Sequence, residues 1–180
     1  ILFHTDAVAT AGIIPFDVKK LGVDALTLAG HSFYGPKGIG VLYLKQGVKI
    51  DPLLQGGFQE AGYRCGTENL PGAVGLGIAA QLAKEEMPHR IEHLSALRDL
   101  LWKGLAQRVS DIHFTGHPTQ RLPGHLSFWV ENAEGESLLL HLVLRGIAVA
   151  SGSACSSNIR GRSEEDLAAS HVLTAIGVPS

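Results

Sequence analysis

Apolar positions in the first third of the chain come in short runs rather than long stretches. Ile1-Leu2-Phe3-His4 reads as a short buried strand ending at Asp6, Asp24–Leu28 as a second strand and Val41–Leu44 as a third. Asp17–Leu21 has the length and polarity of a brief helix that Gly22 would end, and the stretch Gly30–Gly40 is rich in turn formers. Short apolar strands separated by helical or glycine-rich connections predict an α/β sheet buried on both faces.

The pattern then shifts to a helical period. After the glycines at 56, 57, 62 and 66, Pro71 is suited to opening a helix, and the small residues Gly72, Gly75, Gly77, Ala79 and Ala80 would let it pack closely. A second helical pattern follows Pro88, with Ile91, Leu94, Leu97, Leu101 and Leu105 on one face. Its opposite face is polar, as expected of a helix bridging two domains. From Asp111 the elements shorten. Ile112–Thr115 and His125–Val130 read as strands, Ser137–Leu144 as a helix, Ile147–Ala150 as a strand and Ser170–Ile176 as a last short helix. The expected organisation is a partial large domain over residues 1–95 and a smaller α+β domain over 96–180.

Composition narrows the function classes. Of 180 residues, 45% are hydrophobic and 18% charged, the formal charge is −2, and acidic and basic residues are mixed along the chain rather than blocked. Such a surface argues against a nucleic-acid or membrane-surface partner. Cys65 and Cys155 lie far apart, and no His/Cys group has metal-ligand spacing, so neither a disulfide framework nor a metal site is expected. The expected compartment is reducing, the cytoplasm. The chain opens in an apolar run without an initiator methionine, the mark expected of a fragment.

Four blocks could carry chemistry. In His4-Thr5-Asp6-Ala7, a carboxylate ends a strand, where α/β folds place ligand contacts, although an Asp there can equally cap the next turn. Ala29-Gly30-His31-Ser32-Phe33-Tyr34-Gly35-Pro36-Lys37-Gly38 is either a glycine-rich anion loop or a hairpin connection. In Tyr63-Arg64-Cys65-Gly66-Thr67-Glu68-Asn69, Arg64 and Thr67 could donate to a phosphate near a helix start. The alternative is that Thr67 or Asn69 caps that helix. Finally, Cys155 sits in Ser151-Gly152-Ser153-Ala154-Cys155-Ser156-Ser157, which offers a thiol little apolar cover and so favours a reactive role over a core one.

Taken together and in order, these blocks resemble the cysteine desulfurases of the class V aminotransferase superfamily. Phe16-Asp17-Val18, Gly56-Gly57-Phe58-Gln59-Glu60, Gly135-Glu136-Ser137-Leu138 and Ser170-His171-Val172-Leu173 add to the match. The resemblance covers essentially the whole chain. It implies the second half of the large domain of the pyridoxal phosphate (PLP) dependent fold type I, a mostly parallel sheet with helices, followed by the smaller C-terminal domain. It also implies a PLP-dependent removal of sulfur from L-cysteine, giving alanine and a Cys155 persulfide for sulfur transfer and iron–sulfur cluster assembly. A homodimer and a sulfur-acceptor protein are the implied partners. By the same resemblance Asp6 would pair with the pyridinium nitrogen, keeping the ring an electron sink. His31 would lie against the cofactor, Thr67 would reach the phosphate of the partner subunit's site, and Cys155 would be the nucleophile.

The departures fall on one site. Where the family reads Ser-Gly-His-Lys, this chain reads Ala29-Gly30-His31-Ser32, so Ser32 holds the position of the Schiff-base lysine. A serine can neither form that linkage nor move the substrate proton at neutral pH. Lys37 matches a different family lysine. Ala29 replaces a phosphate-binding serine and Ala9 a glutamine at the cofactor ring, removing two hydrogen bonds of roughly 0.5–1.5 kcal/mol each. Cys65 stands where serine is usual, and the charged stretch 158–168 exceeds the usual connection after the nucleophile. The family's first half would precede Ile1, and its substrate-carboxylate arginine would follow Ser180. The expectation is an impaired desulfurase-like protein. The alternative is a non-catalytic binding or sulfur-relay module that uses Cys155 alone.

Overall fold

The computed structural model describes residues 1–149 and 171–178. The chain divides into two compact units: residues 1–102 with 119–126, and residues 103–118 with 127–180.

The first unit holds a three-stranded sheet in the order β1 (His4–Asp6), β2 (Ala25–Ala29), β3 (Gly40–Leu44). β1 and β2 run parallel, with His4 opposite Ala25 and Asp6 opposite Thr27. The helix crossing between them, α1 (Val18–Leu21), is capped at its start by Asp17, whose carboxylate accepts the Lys19 N–H at 2.8 Å. It ends at Gly22 in the left-handed region, φ +68°. The α/β class holds, but the sheet is mixed, because β3 pairs antiparallel to β2. A parallel return needs a crossover of a dozen or more residues. The segment 30–39 is too short for one and turns back as a hairpin connection instead.

Two further differences from the sequence pattern have physical causes. The first strand begins at His4 rather than Ile1, and it is not buried: Ile1, Leu2 and Phe3 are exposed, as are His4 and Asp6. It forms one edge of the sheet, with β2 as its only neighbour among the described residues. The two helical patterns around Pro88 are one helix, α2 (Leu70–Ala106), with Pro88 inside it. At 37 residues it extends about 55 Å. Proline removes one backbone N–H from the ladder. Before it Gln81 donates to Glu85 at 3.0 Å, and across it Arg90 donates to Glu86 at 2.6 Å, each pair one turn apart. At the start of α2, the Asn69 side chain accepts the Gly72 N–H at 3.0 Å, so Asn69 is the cap.

The core of this unit is small and falls into two clusters that share Leu28. Ala7, Val23 and Leu26 form one cluster, with Val18, Leu28 and Tyr43 against it. Ala11, Phe33, Ala79 and Ala83 form the other, joined by Leu28 and Leu76. Asp24 ties three strands together at one end of the sheet. It accepts the Phe3 N–H at 3.0 Å and the Lys45 ammonium at 3.3 Å.

The second unit holds a two-stranded antiparallel sheet, β4 (Ile112–Phe114) and β5 (Phe128–Val130), with α3 (Gly135–Val143) and α4 (His171–Ala175). β5 is shorter than the apolar run suggests, and residues 147–149 form no strand. The expected strand's last residue, Ala150, lies outside the described residues. His113 stacks on Trp129 with ring centroids 4.3 Å apart, and the Thr115 and Ser127 hydroxyls are hydrogen-bonded to each other. The Glu131 carboxylate lies 2.9 Å from His113 Nε2, without the geometry of a hydrogen bond.

Candidate functional site

Parallel pairing decides which chemistry meets. Because β1 and β2 run the same way, Asp6 and the segment that follows Ala29 leave the sheet at the same carboxyl edge, and Ala7 N–H donates to Thr27 O at 2.9 Å to extend the pairing there. Open α/β sheets bind ligands at that edge. Asp6 is exposed. One of its oxygens accepts the Val8 N–H at 2.8 Å in a local turn, and the other has no partner among the described residues. The capping role and an outward-facing carboxylate therefore coexist in one side chain.

His31 and Ser32 belong to a 3-10 turn, Gly30–Phe33, directly after β2. His31 is exposed and Ser32 half-buried. The Ser32 hydroxyl donates to Ala29 O at 2.8 Å, folding the short side chain back onto its own turn. Lys37 is exposed in the following Gly35–Gly38 turn, and Ala9 is exposed beyond Asp6.

The turn is seated on α2. Phe33 is 4% exposed, packed among Ala11, Ala79 and Ala83. A Cβ at Gly75 would stand 2.6 Å from the Pro36 ring, so only glycine admits the loop there. A Cβ at Gly12, φ +73°, would stand 3.0 Å from Phe33 Cβ and 3.1 Å from Ala83 Cβ. The small residues of α2 thus serve the turn, but not all of them. Gly77 faces open space and Ala80 is exposed.

Thr67 lies on an exposed loop just before α2, apart from these elements in the sequence, and the capping there is done by Asn69. Cys65 is half-buried and its thiol donates to Gln55 O at 3.6 Å. Cys155 lies outside the described residues. Asp6, His31 and Ser32 are brought to one edge by β1 and β2.

Sequence reading missed Phe33, Tyr34 and Arg90. Tyr34 closes the turn in the left-handed region, φ +67°, and donates its N–H to Gly30 O. The Arg90 guanidinium carbon lies 4.8 Å from the centre of the Tyr34 ring. The adjacency of Phe33 and Tyr34 to Ser32 was a usable signal. Nothing in the sequence pairs Tyr34 with a residue more than fifty positions away.

As a cofactor cradle the arrangement is incomplete in a specific way. The outward oxygen of Asp6 suits a protonated ring nitrogen, and exposed His31 suits a planar ring. Ser32 supplies no amine, and Ala29 and Ala9 supply no side-chain donors. The residues fit a PLP held without a covalent link and do not fit one attached through position 32.

A sheet whose carboxyl edge gathers an acid, a histidine and a glycine-lined turn is the α/β arrangement of PLP-dependent fold type I proteins. Residues 1–172 match the family Aminotransferase class-V. The chain belongs to that family. It is 50% identical over 179 residues to "Cysteine desulfurase IscS" of Dictyoglomus turgidum, covering 99% of this chain and 44% of that protein. It is 53% identical over 179 residues to "Cysteine desulfurase IscS" of Methanosarcina thermophila, covering 99% and 42%. Among solved structures, a NifS-like protein superposes with a TM-score of 0.81 at 38% identity, over 99% of this chain and 43% of that one. The NifS-like protein of Rickettsia africae superposes with a TM-score of 0.79 at 31% identity, over 84% and 42%. The chain therefore spans less than half the length of the relatives it matches. Among the described residues, no helix is long and apolar enough to cross a membrane.

Proposed function

We propose that this chain carries part of a cysteine desulfurase whose covalent attachment of PLP has been lost at position 32. The observation that supports this most is the pairing of a retained carboxyl edge, Asp6 with His31, with a Ser32 hydroxyl committed to Ala29 O. PLP, when bound, would supply an electron sink for chemistry at the substrate's Cα. Asp6 would hold a proton on the ring nitrogen, and His31 would lie against the ring. Ser32 cannot take the Cα proton, because its hydroxyl is a very weak base at neutral pH and is committed to Ala29 O rather than to an activating base. Turnover of L-cysteine to alanine is accordingly lost or very slow.

The rest of the reading follows the family. Thr67 would reach the phosphate of a partner subunit's site in a homodimer, Cys155 would carry the sulfur, and a sulfur-acceptor protein would receive it. Residues 1–95 would form the cofactor domain and 96–180 the small domain, in a cytoplasmic protein.

The test is the visible absorbance of PLP titrated into the full chain with and without L-cysteine, alongside an assay for alanine. We expect weak, reversible PLP binding without alanine, and PLP retained through gel filtration once Ser32→Lys is introduced. Alanine formation by the unaltered chain would overturn the loss of catalysis. Absence of PLP binding in both forms, with sulfur gained at Cys155 from a persulfide donor by mass spectrometry, would favour the relay function instead.

A further inference from the structure

The turn carrying His31 and Ser32 ends in a conformation that its own sequence does not favour. Tyr34 holds φ +67° and ψ 17°, the left-handed region, which bulky side chains rarely adopt unless neighbouring structure holds them there. Its N–H and the Gly35 N–H both donate to Gly30 O, the latter at 2.8 Å, so this one residue closes the turn. Phe33 fixes the buried side of the turn, whereas Tyr34 is 85% exposed and outside the packed cluster.

Arg90 supplies the missing restraint. Its guanidinium covers the Tyr34 ring at 4.8 Å, within the range of a cation–π contact. The guanidinium is itself fixed: Nε and Nη2 donate to Glu86 Oε2 at 3.1 and 2.6 Å, and only 17% of the side chain is exposed. Among the described residues, the buried Nη1 has no hydrogen-bond partner, and it lies 3.8 Å from where a Gly12 Cβ would stand. A buried N–H that finds no acceptor is costly, and the guanidinium also lies against the face of the aromatic ring.

We infer that Arg90 is a positioning residue for the turn that presents His31 and position 32, acting through Tyr34. It touches neither residue. It selects the left-handed state of Tyr34 and so the closed turn. The importance of that turn to PLP rests on the function proposed above, while the restraint itself does not.

The test is a double-mutant cycle of Arg90→Ala and Tyr34→Ala in the full chain, read by amide hydrogen exchange. Each single change should speed exchange at Tyr34 and Gly35 about fivefold, with the β2–β3 amides unchanged, and the double change should add nothing further. Tyr34→Phe keeps the ring face and should keep the slow exchange. Additive effects, no effect, or equal acceleration throughout the sheet would overturn the inference.

A second arm uses PLP titration of the Ser32→Lys chain, where Arg90→Ala should weaken binding by about the same factor. If PLP binds and Arg90→Ala leaves its affinity unchanged, the positioning role is overturned. If PLP does not bind the Ser32→Lys chain while the exchange coupling holds, the inference stands and the proposed function fails.

Discussion

The turn at residues 30–34 and the β4–β5 pair are held by opposite means. The buried side of the turn, at Phe33, is fixed by the smallness of what surrounds it. Ala11, Ala79, Ala83 and Gly12 leave a space that Phe33 fills, with distances of 3.0–3.1 Å where a Cβ on Gly12 would stand. The β4–β5 pair depends on directed contacts instead: the His113–Trp129 stack and the Thr115–Ser127 hydrogen bond. Among the described residues of the second unit only Thr115 and Val178 are buried, and α3 buries none. Close packing tolerates neither loss nor gain of volume. Directed contacts fail one at a time and by smaller steps. The region carrying the candidate cofactor residues is therefore the one built to tight tolerance.

The largest effect should come from emptying that space. Phe33→Ala should destabilise the chain by about 3 kcal/mol in urea unfolding, the usual scale for a buried phenylalanine. Overfilling it with Ala83→Leu should cost about 2 kcal/mol, since the extra carbons meet Gly12 and Phe33. Thr115→Val, which removes one hydrogen bond while keeping the shape, should cost about 1 kcal/mol. A loss at Thr115 as large as that at Phe33 would break the contrast between the two regions.

The smallest effect belongs to Asp24, and it sharpens the picture through pH. Its carboxyl is held below the usual value, first by the Phe3 N–H and then by Lys45. A group whose folded pKa is depressed adds stability above its unfolded pKa and loses it as pH falls through the folded one. Asp24→Asn should therefore lower stability slightly at neutral pH and flatten the acid side of the stability profile. A profile unchanged below the usual carboxylate range would show that the contact is solvent-screened to nothing.

Much of this site was legible before folding was considered. Asp6, His31 and Ser32 stand in recognisable blocks because catalysis ties residue type to local order, and the departures at Ala29, Ala9 and Ser32 are visible in the same blocks. One cap was legible as a choice between Thr67 and Asn69, of which Asn69 acts on Gly72; Asp17, read as a helical residue, instead caps α1 through the Lys19 N–H. The unbroken α2 was not legible. A proline is a strong local signal for a boundary, yet the helix continues through Pro88, with the side-chain pair Gln81–Glu85 before it and Glu86–Arg90 across it.

The sequence by itself determined the family and the residue types at the candidate site, a serine at position 32 among them. These depend on identity and short-range order, which a linear chain carries. Only the tertiary structure decided that β3 returns antiparallel and that Asp6 shares an edge with the His31 turn. It alone seated Phe33 against Ala79 and Ala83 and laid Arg90 over Tyr34. Those outcomes depend on contacts between residues distant in the chain, where packing and pairing choose among conformations that local preference leaves open.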